Sequence, residues 1–256
     1  MYFAEMEYRQ WANETTLQKW EELVHQTAEW MADFAWWDNK TERYVLGPPI
    51  YPVSENTNPN GTVNPTFEVA YWRFGLNVAV KWKERMGKEV PEGWEKVRRG
   101  LAELPVVDGT YAVYEGIEGM WTREETTWDH PAMAGVYGLL PPTEGVEVDV
   151  VRRTALKIRD LWRLEESYGW DFAMLAMNEV RLGNVEQAVE YLLHPVYQFD
   201  DAGYPVGGSR VPTPYFPNSA SLLVAVAMMA GGWDGSEGKH FPEWWVVEVE
   251  GFTPAM

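Results

Sequence analysis

The chemistry open to this chain is narrowed first by what its reactive side chains cannot do. The four histidines, His25, His130, His194 and His240, include no His-x-x-x-His pair and no His-Glu-x-x-His, so no metal site is signalled. Cysteine is absent, which excludes a thiolate nucleophile, a cysteine-ligated metal and a disulfide scaffold, and fixes no compartment. Gly-x-Ser-x-Gly and a phosphate-cradling Gly-Lys-Ser/Thr are also missing. Asp200-Asp201 precedes Ala-Gly and reads as a turn. No metal or cofactor is called for. What remains is carboxylates set among aromatic rings, the equipment for glycosyl transfer to water. One carboxylic acid protonates the leaving oxygen, and a second carboxylate activates water or attacks. The 15 Trp, 13 Tyr and 9 Phe fit either a core of large rings or a carbohydrate surface, because the C–H face of a sugar packs on flat rings.

Glu55 is the first candidate. It lies in Leu46-Gly-Pro-Pro-Ile-Tyr-Pro-Val-Ser-Glu-Asn-Thr, a loop stiffened by prolines, where an enclosed carboxyl could keep its proton. The plainer use is a solvated loop glutamate. Asp129, in Thr127-Trp-Asp-His-Pro, and Asp171, in Tyr168-Gly-Trp-Asp-Phe, are candidates for orienting or activating water; helix capping explains each equally well. Glu68 falls in a first helical turn, where the helix dipole alone would favour it. These acids sit beside aromatic residues or histidine at loop-to-helix junctions. Trp72, Trp128 and Trp170 are expected to line a sugar cavity with Glu55, and His130, Asn64, Glu68 and Asn218 to contribute polar contacts.

Four of these stretches carry a resemblance. The Leu46–Asn56 loop resembles the catalytic-acid loop of the six-hairpin glycosidases, most closely the Pro-x-x-Ser-Pro-Glu-Asn type of α-L-fucosidases of glycoside hydrolase family 95 and more distantly the Gly-Pro-Asp-Glu loop of family 65. Asp129-His-Pro-Ala-Met-Ala-Gly-Val-Tyr-Gly-Leu-Leu-Pro is similar to the family 95 His-x-Ser-His-Leu-Tyr-Gly-Leu-Phe-Pro stretch. Tyr168-Gly-Trp-Asp-Phe-Ala-Met-Leu-Ala-Met-Asn-Glu-Val-Arg-Leu-Gly is similar to its Gly-Trp-Ser…Ala-Arg-Leu helix, and Pro214-Tyr-Phe-Pro-Asn-Ser-Ala-Ser-Leu-Leu resembles its Phe-x-Ile-Asp-Gly-Asn-Phe-Gly-Gly segment. The blocks occur in the same order. The resemblance implies an α/α toroid and an inverting hydrolase of oligo- or polysaccharides with Glu55 as general acid. It also departs: the carboxylate that helps activate water falls at Asn218 or has no equivalent, and the Gly-Asn-Phe-Gly-Gly run is shortened. The alternative is a non-catalytic carbohydrate-binding or scaffolding relative, or an inactive fragment.

The elements that must position these residues are helical. Thr16, Trp20, Leu23, Val24, Thr27, Trp30, Met31 and Phe34 recur at three- and four-residue steps, giving a helix over 14–36 capped by Asn13 or Thr15. Asn64-Pro65 opens a second helix that stops near Gly87, and a third runs from after Pro91 to Leu104. Others cover His130–Gly138, 147–165, 170–182, 184–194 and 218–231, about eight helices in all. Arg43–Pro52 is extended, 51–63 and 195–216 are loops, and short strands fall at Tyr111–Tyr114 and at Trp244–Glu250. The expected fold is all-α with minor β: one domain over 1–256, an incomplete α/α barrel. A full six-hairpin barrel needs about twelve helices. The resemblance therefore implies that this is the C-terminal part of a larger catalytic domain, whose remaining barrel helices and β-sandwich lie upstream.

Charge and hydropathy limit partners. A net charge of −18 repels phosphate backbones and no basic patch offsets it, so nucleic acid is not expected. Met1–Gln10 has two glutamates and no apolar core, unlike a signal peptide, and Leu222–Ala230 is too short to span a bilayer, so no membrane role is expected. Asn13, Asn39 and Asn60 head Asn-x-Thr triplets of the kind that arise by chance.

Overall fold

The computed structural model describes residues 1–208 and 210–256. They are mainly α-helical. The helices are α1 (Tyr2–Gln10), α2 (Glu14–Phe34), α3 (Thr66–Arg85), α4 (Glu92–Gly100), α5 (Gly135–Gly138), α6 (Val148–Leu161), α7 (Gly169–Arg181), α8 (Val185–Leu192) and α9 (Pro217–Gly231). Three antiparallel two-stranded ribbons complete the described elements: β1 (Trp36–Asp38) with β2 (Arg43–Val45), β3 (Val106–Val107) with β4 (Thr110–Tyr111), and β5 (Gly232–Trp233) with β6 (Ser236–Glu237). Among the described residues no helix is long and apolar enough to cross a membrane.

Local chemistry explains the boundaries. The Asn13 side chain accepts the Thr16 amide at 3.0 Å and so caps α2. Asp108 and Gly109 both have positive φ, at 50° and 74°, the backbone that a two-residue turn between β3 and β4 demands. This ribbon covers 106–111, upstream of the expected Tyr111–Tyr114. Helix α3 begins at Thr66, because Asn64 is held in the left-handed region at φ 46° and its side chain is engaged elsewhere. Helix α4 ends at Gly100, and the next residues run extended beside β2, with the Ala102 amide donating to the Tyr44 carbonyl. Helix α6 stops at Leu161 and is followed by a 3-10 turn at Leu164–Glu166.

One element goes unread and one expectation fails. The unread element is α1, held by the bidentate Glu5–Arg85 pair at 2.6 and 2.8 Å, a contact no local pattern encodes. Trp244–Glu250 alternates but is not a strand, because no strand among the described residues lies beside it.

The helices differ in how they are buried. In α3 and α7 nearly the whole circumference is covered, whereas α2, α4, α6 and α8 bury one stripe each. The contacts run α3–α5–α7–α9, with α2 and α4 on α3, α6 on α7, and α8 on α7. One continuous core fills the space, with Trp82, Trp94 and Phe172 fully buried in it. Helix α5 crosses close against α7. A Cβ added at Gly138 would lie 2.6 Å from the Met174 carbonyl oxygen and 3.1 Å from the Asn178 amide nitrogen. Backbone cannot yield there, so Gly138→Ala should destabilise the fold by about 1–3 kcal/mol in urea titration; an unchanged midpoint would contradict this crossing.

Candidate functional site

The Glu55 loop is fastened at five places. Asn64 accepts the Leu46 amide at 2.8 Å and donates to Glu115 at 2.6 Å. Glu68, in the first turn of α3, accepts the Val53 amide at 2.7 Å. The Ser54 hydroxyl donates to the His130 carbonyl at 2.8 Å, the Glu55 amide to Asp129 Oδ1 at 2.9 Å, and the Asn56 amide group to the Glu125 carbonyl at 2.7 Å. Asn64 and Glu68 therefore hold the loop. Burial pushes the Glu68 carboxyl up, against the Val53 hydrogen bond. The Glu55 side chain itself is exposed, not enclosed as expected.

Beneath the loop lies a buried histidine–aspartate pair. His130 Nδ1 is 2.8 Å from Asp171 Oδ1, and the other Asp171 oxygen accepts the Tyr168 amide at 3.1 Å. Asp171 is fully buried. It closes the first turn of α7 and orients the imidazole, and it cannot activate water. The ring of His130 stacks on Tyr168 at 4.3 Å and packs on Trp170 at 4.5 Å. With Nδ1 committed to the carboxylate, Nε2 makes no described hydrogen bond. Burial, the largest influence, pulls the His130 pKa down, but the Asp171 hydrogen bond and charge outweigh it. Asp129 and Glu55 lie near enough to add to them, and the net shift is upward. Burial likewise pushes the Asp171 carboxyl up.

Asp129 is buried as well and fully used. Besides the Glu55 amide it faces Arg210 Nη1 at 3.6 Å, and its carbonyl accepts the Trp162 indole at 2.7 Å. It caps no helix. Arg210 lies over the half-buried Trp128 at 4.1 Å and Tyr168 at 5.0 Å. The Tyr215 ring stands 6.3 Å from Tyr168; burial pushes its phenol up, the Trp170 indole opposes, and the charges of Asp171 and Glu55 add.

The structure thus gathers Glu55, Asp129, His130, Asp171, Trp128 and Trp170. Tyr168, Tyr215 and Arg210 join them. Tyr168 and Tyr215 stand inside stretches already marked by their chemistry, whereas Arg210 has no local signal. Of the two other candidates, Trp72 lies elsewhere and Asn218 is buried against the start of α7. Trp72 is core: its indole donates to the Met31 carbonyl at 2.9 Å and its ring packs on Trp30 and Phe34. Asn218 is fully buried in the first turn of α9, donating to the Val206 carbonyl at 3.2 Å, with its Oδ1 unpartnered among the described residues. It wedges against Gly169, where an added Cβ would meet Asn218 Nδ2 at 2.2 Å. Among the described residues no group of three or more His, Asp or Glu is arranged to hold a metal. Compared with known proteins, the chain matches no family model and no curated protein sequence.

The His130 pair links stability to pH. The folded chain binds the His130 proton more tightly than the unfolded chain does, so its contribution is complete below the unfolded value of about 6.5. It is lost as pH rises through the folded value, and the upward shift of Asp171 acts in the same direction. Urea midpoints between about pH 5 and 9 should fall more steeply with rising pH in wild type than in His130→Gln. Parallel profiles would show that the pair carries no such linkage.

Proposed function

We propose that the Glu55 cluster is the carbohydrate site of a glycoside hydrolase acting on oligo- or polysaccharides, with Glu55 as proton donor. One observation carries this reading: four separate stretches, 46–56, 129–141, 168–183 and 214–223, contribute to a single contact network around one exposed carboxylate. The amide of Glu55 is anchored on Asp129, His130 is anchored on Asp171, and Tyr168 packs on Tyr215. Half-buried Trp128, Tyr168, Trp170 and Tyr215 supply rings for sugar C–H faces. While protonated, His130 keeps a second N–H, at Nε2, that no described residue accepts. Asp129 and Asp171 orient and do not activate water.

The architecture behind this reading is part of an α/α toroid. Its support is the alternation along the chain: α3, α5, α7 and α9 pack in series, and the one-faced helices α2, α4, α6 and α8 each precede one of them in sequence. In an inverting site the two carboxyls stand about 6.5–9.5 Å apart with water between them. Because both aspartates are committed to structural bonds, a second reading has specific support: a carbohydrate-binding relative without hydrolysis.

Glu55→Gln separates the two. It keeps shape and removes the proton. Hydrolysis of glycosides with poor leaving groups should fall by about 10²–10⁴-fold, and that of activated aryl glycosides much less. Equal losses on both, or none, remove Glu55 from the acid role. Saturable glycan binding with no turnover by wild type selects the binding reading.

A further inference from the structure

Arg210, on the loop between α8 and α9, makes contacts that converge on Asp129. Its side chain is 13% exposed. Nη2 donates to the Trp128 carbonyl at 2.7 Å, Nε donates to the Glu166 carbonyl, and Nη1 faces Asp129 Oδ2 at 3.6 Å. The guanidinium plane lies over Trp128 and Tyr168. A planar fork can satisfy two carbonyls, a carboxylate and two rings together, which an ammonium cannot. Among the described residues no lysine and no other arginine pairs with Asp129.

The consequence passes through Asp129 to the loop. Its Oδ1 accepts the amide of Glu55 itself. A carboxylate this deeply buried is held in place by its opposite charge, and without that partner it swings toward water. That change weakens a charge-assisted hydrogen bond at the residue whose side chain faces solvent. The neighbouring Val53 amide is held independently by Glu68, so the two amides report separately.

We propose that Arg210 is a positioning residue for Glu55. It fixes the Asp129 carboxylate where that group holds the Glu55 amide, and so sets the direction in which the Glu55 side chain leaves the loop. The proposal rests on the reading of Glu55 as proton donor, but its first test does not. Amide hydrogen exchange is followed by NMR on the ¹⁵N-labelled chain, in wild type, Arg210→Gln, Arg210→Lys, Asp129→Asn and the Arg210→Gln/Asp129→Asn double variant. Exchange at Glu55 should accelerate about tenfold or more in Arg210→Gln, as expected for loss of one charge-assisted hydrogen bond, with Val53 unchanged. Asp129→Asn should match it, the double variant should add nothing further, and Arg210→Lys should fall between because it keeps charge and loses the fork.

Where Arg210→Gln does not fold, Arg210→Lys carries the test, and it must accelerate Glu55 by about threefold or more while leaving Val53 alone. Unchanged Glu55 exchange in a folded variant, or equal acceleration at Val53, overturns the proposal. On aryl glycosides with poor leaving groups, kcat should fall in Arg210→Gln with KM within about twofold, the pattern of a misplaced acid. Accelerated Glu55 exchange together with a wild type that hydrolyses no glycoside sinks the hydrolytic reading and leaves the positioning intact.

Discussion

The hydrogen bond between His130 Nδ1 and Asp171 joins elements that are far apart in sequence, and most of the site is hung from it. A fully buried carboxylate is costly unless each oxygen has a donor. Here one oxygen takes the imidazole and the other takes the Tyr168 amide, which places the charge in the first turn of α7, where the helix dipole favours it. The same imidazole is fixed in rotation by Tyr168 and Trp170. The backbone carbonyl of His130 receives the Ser54 hydroxyl, so the ring, the start of α7 and the Glu55 loop share one frame. Removing either partner would strand a buried polar group, at a cost of about 3–5 kcal/mol when the remaining group is charged.

That frame explains why Glu55 can be both exposed and placed. Four flanking polar bonds fix the backbone of Val53 to Asn56, and none uses the Glu55 carboxyl. The loop spends Glu68 and Asp129 on amides and leaves one acid facing solvent. Local charge fits the proposed ligand. Glu55, Asp129 and Asp171 lie against Arg210 and His130 alone within the cluster, and the chain as a whole is strongly acidic, which disfavours anionic ligands and suits neutral glycans.

Legibility in the sequence followed the range of the interaction. The Asn13 cap acts within three residues and could be read directly, whereas the equally local Asp108-Gly109 turn went unread and its strands were expected downstream. The helical period of α2 and the apolar run of α9 were equally plain. Asp171 was readable as a cap, but its imidazole partner lies 41 positions away and needed the fold. Arg210 contacts Trp128 across 82 positions from a Gly- and Pro-rich loop, with no periodicity to announce it. Helix α1 escaped for the same reason, since the Glu5–Arg85 pair spans 80 positions. Trp72 misled in the opposite sense. A tryptophan near a polar residue on a helix suits a core as well as a sugar platform, and only its bond to the Met31 carbonyl decides. Alternation in Trp244–Glu250 describes a segment able to pair, and pairing also requires a neighbour.

The position of the acids along the chain has a common physical cause. Glu68 stands in the first turn of α3, Asp171 in the first turn of α7 and Asn218 in the first turn of α9, while Asp129 and His130 immediately precede the turns leading to α5. The contacts among these groups bring the starts of α5, α7 and α9 together, and the Val53–Glu68 bond ties the Glu55 loop to the start of α3. The N-terminal turns of α3, α7 and α9 present unpaired amides and a partial positive charge toward this end. That field opposes the burial that pushes the Glu68 and Asp171 carboxyls up. A chain with many more acids than bases can therefore concentrate several of them around one point, where the Arg210 guanidinium and the His130 imidazole are the side chains that face them.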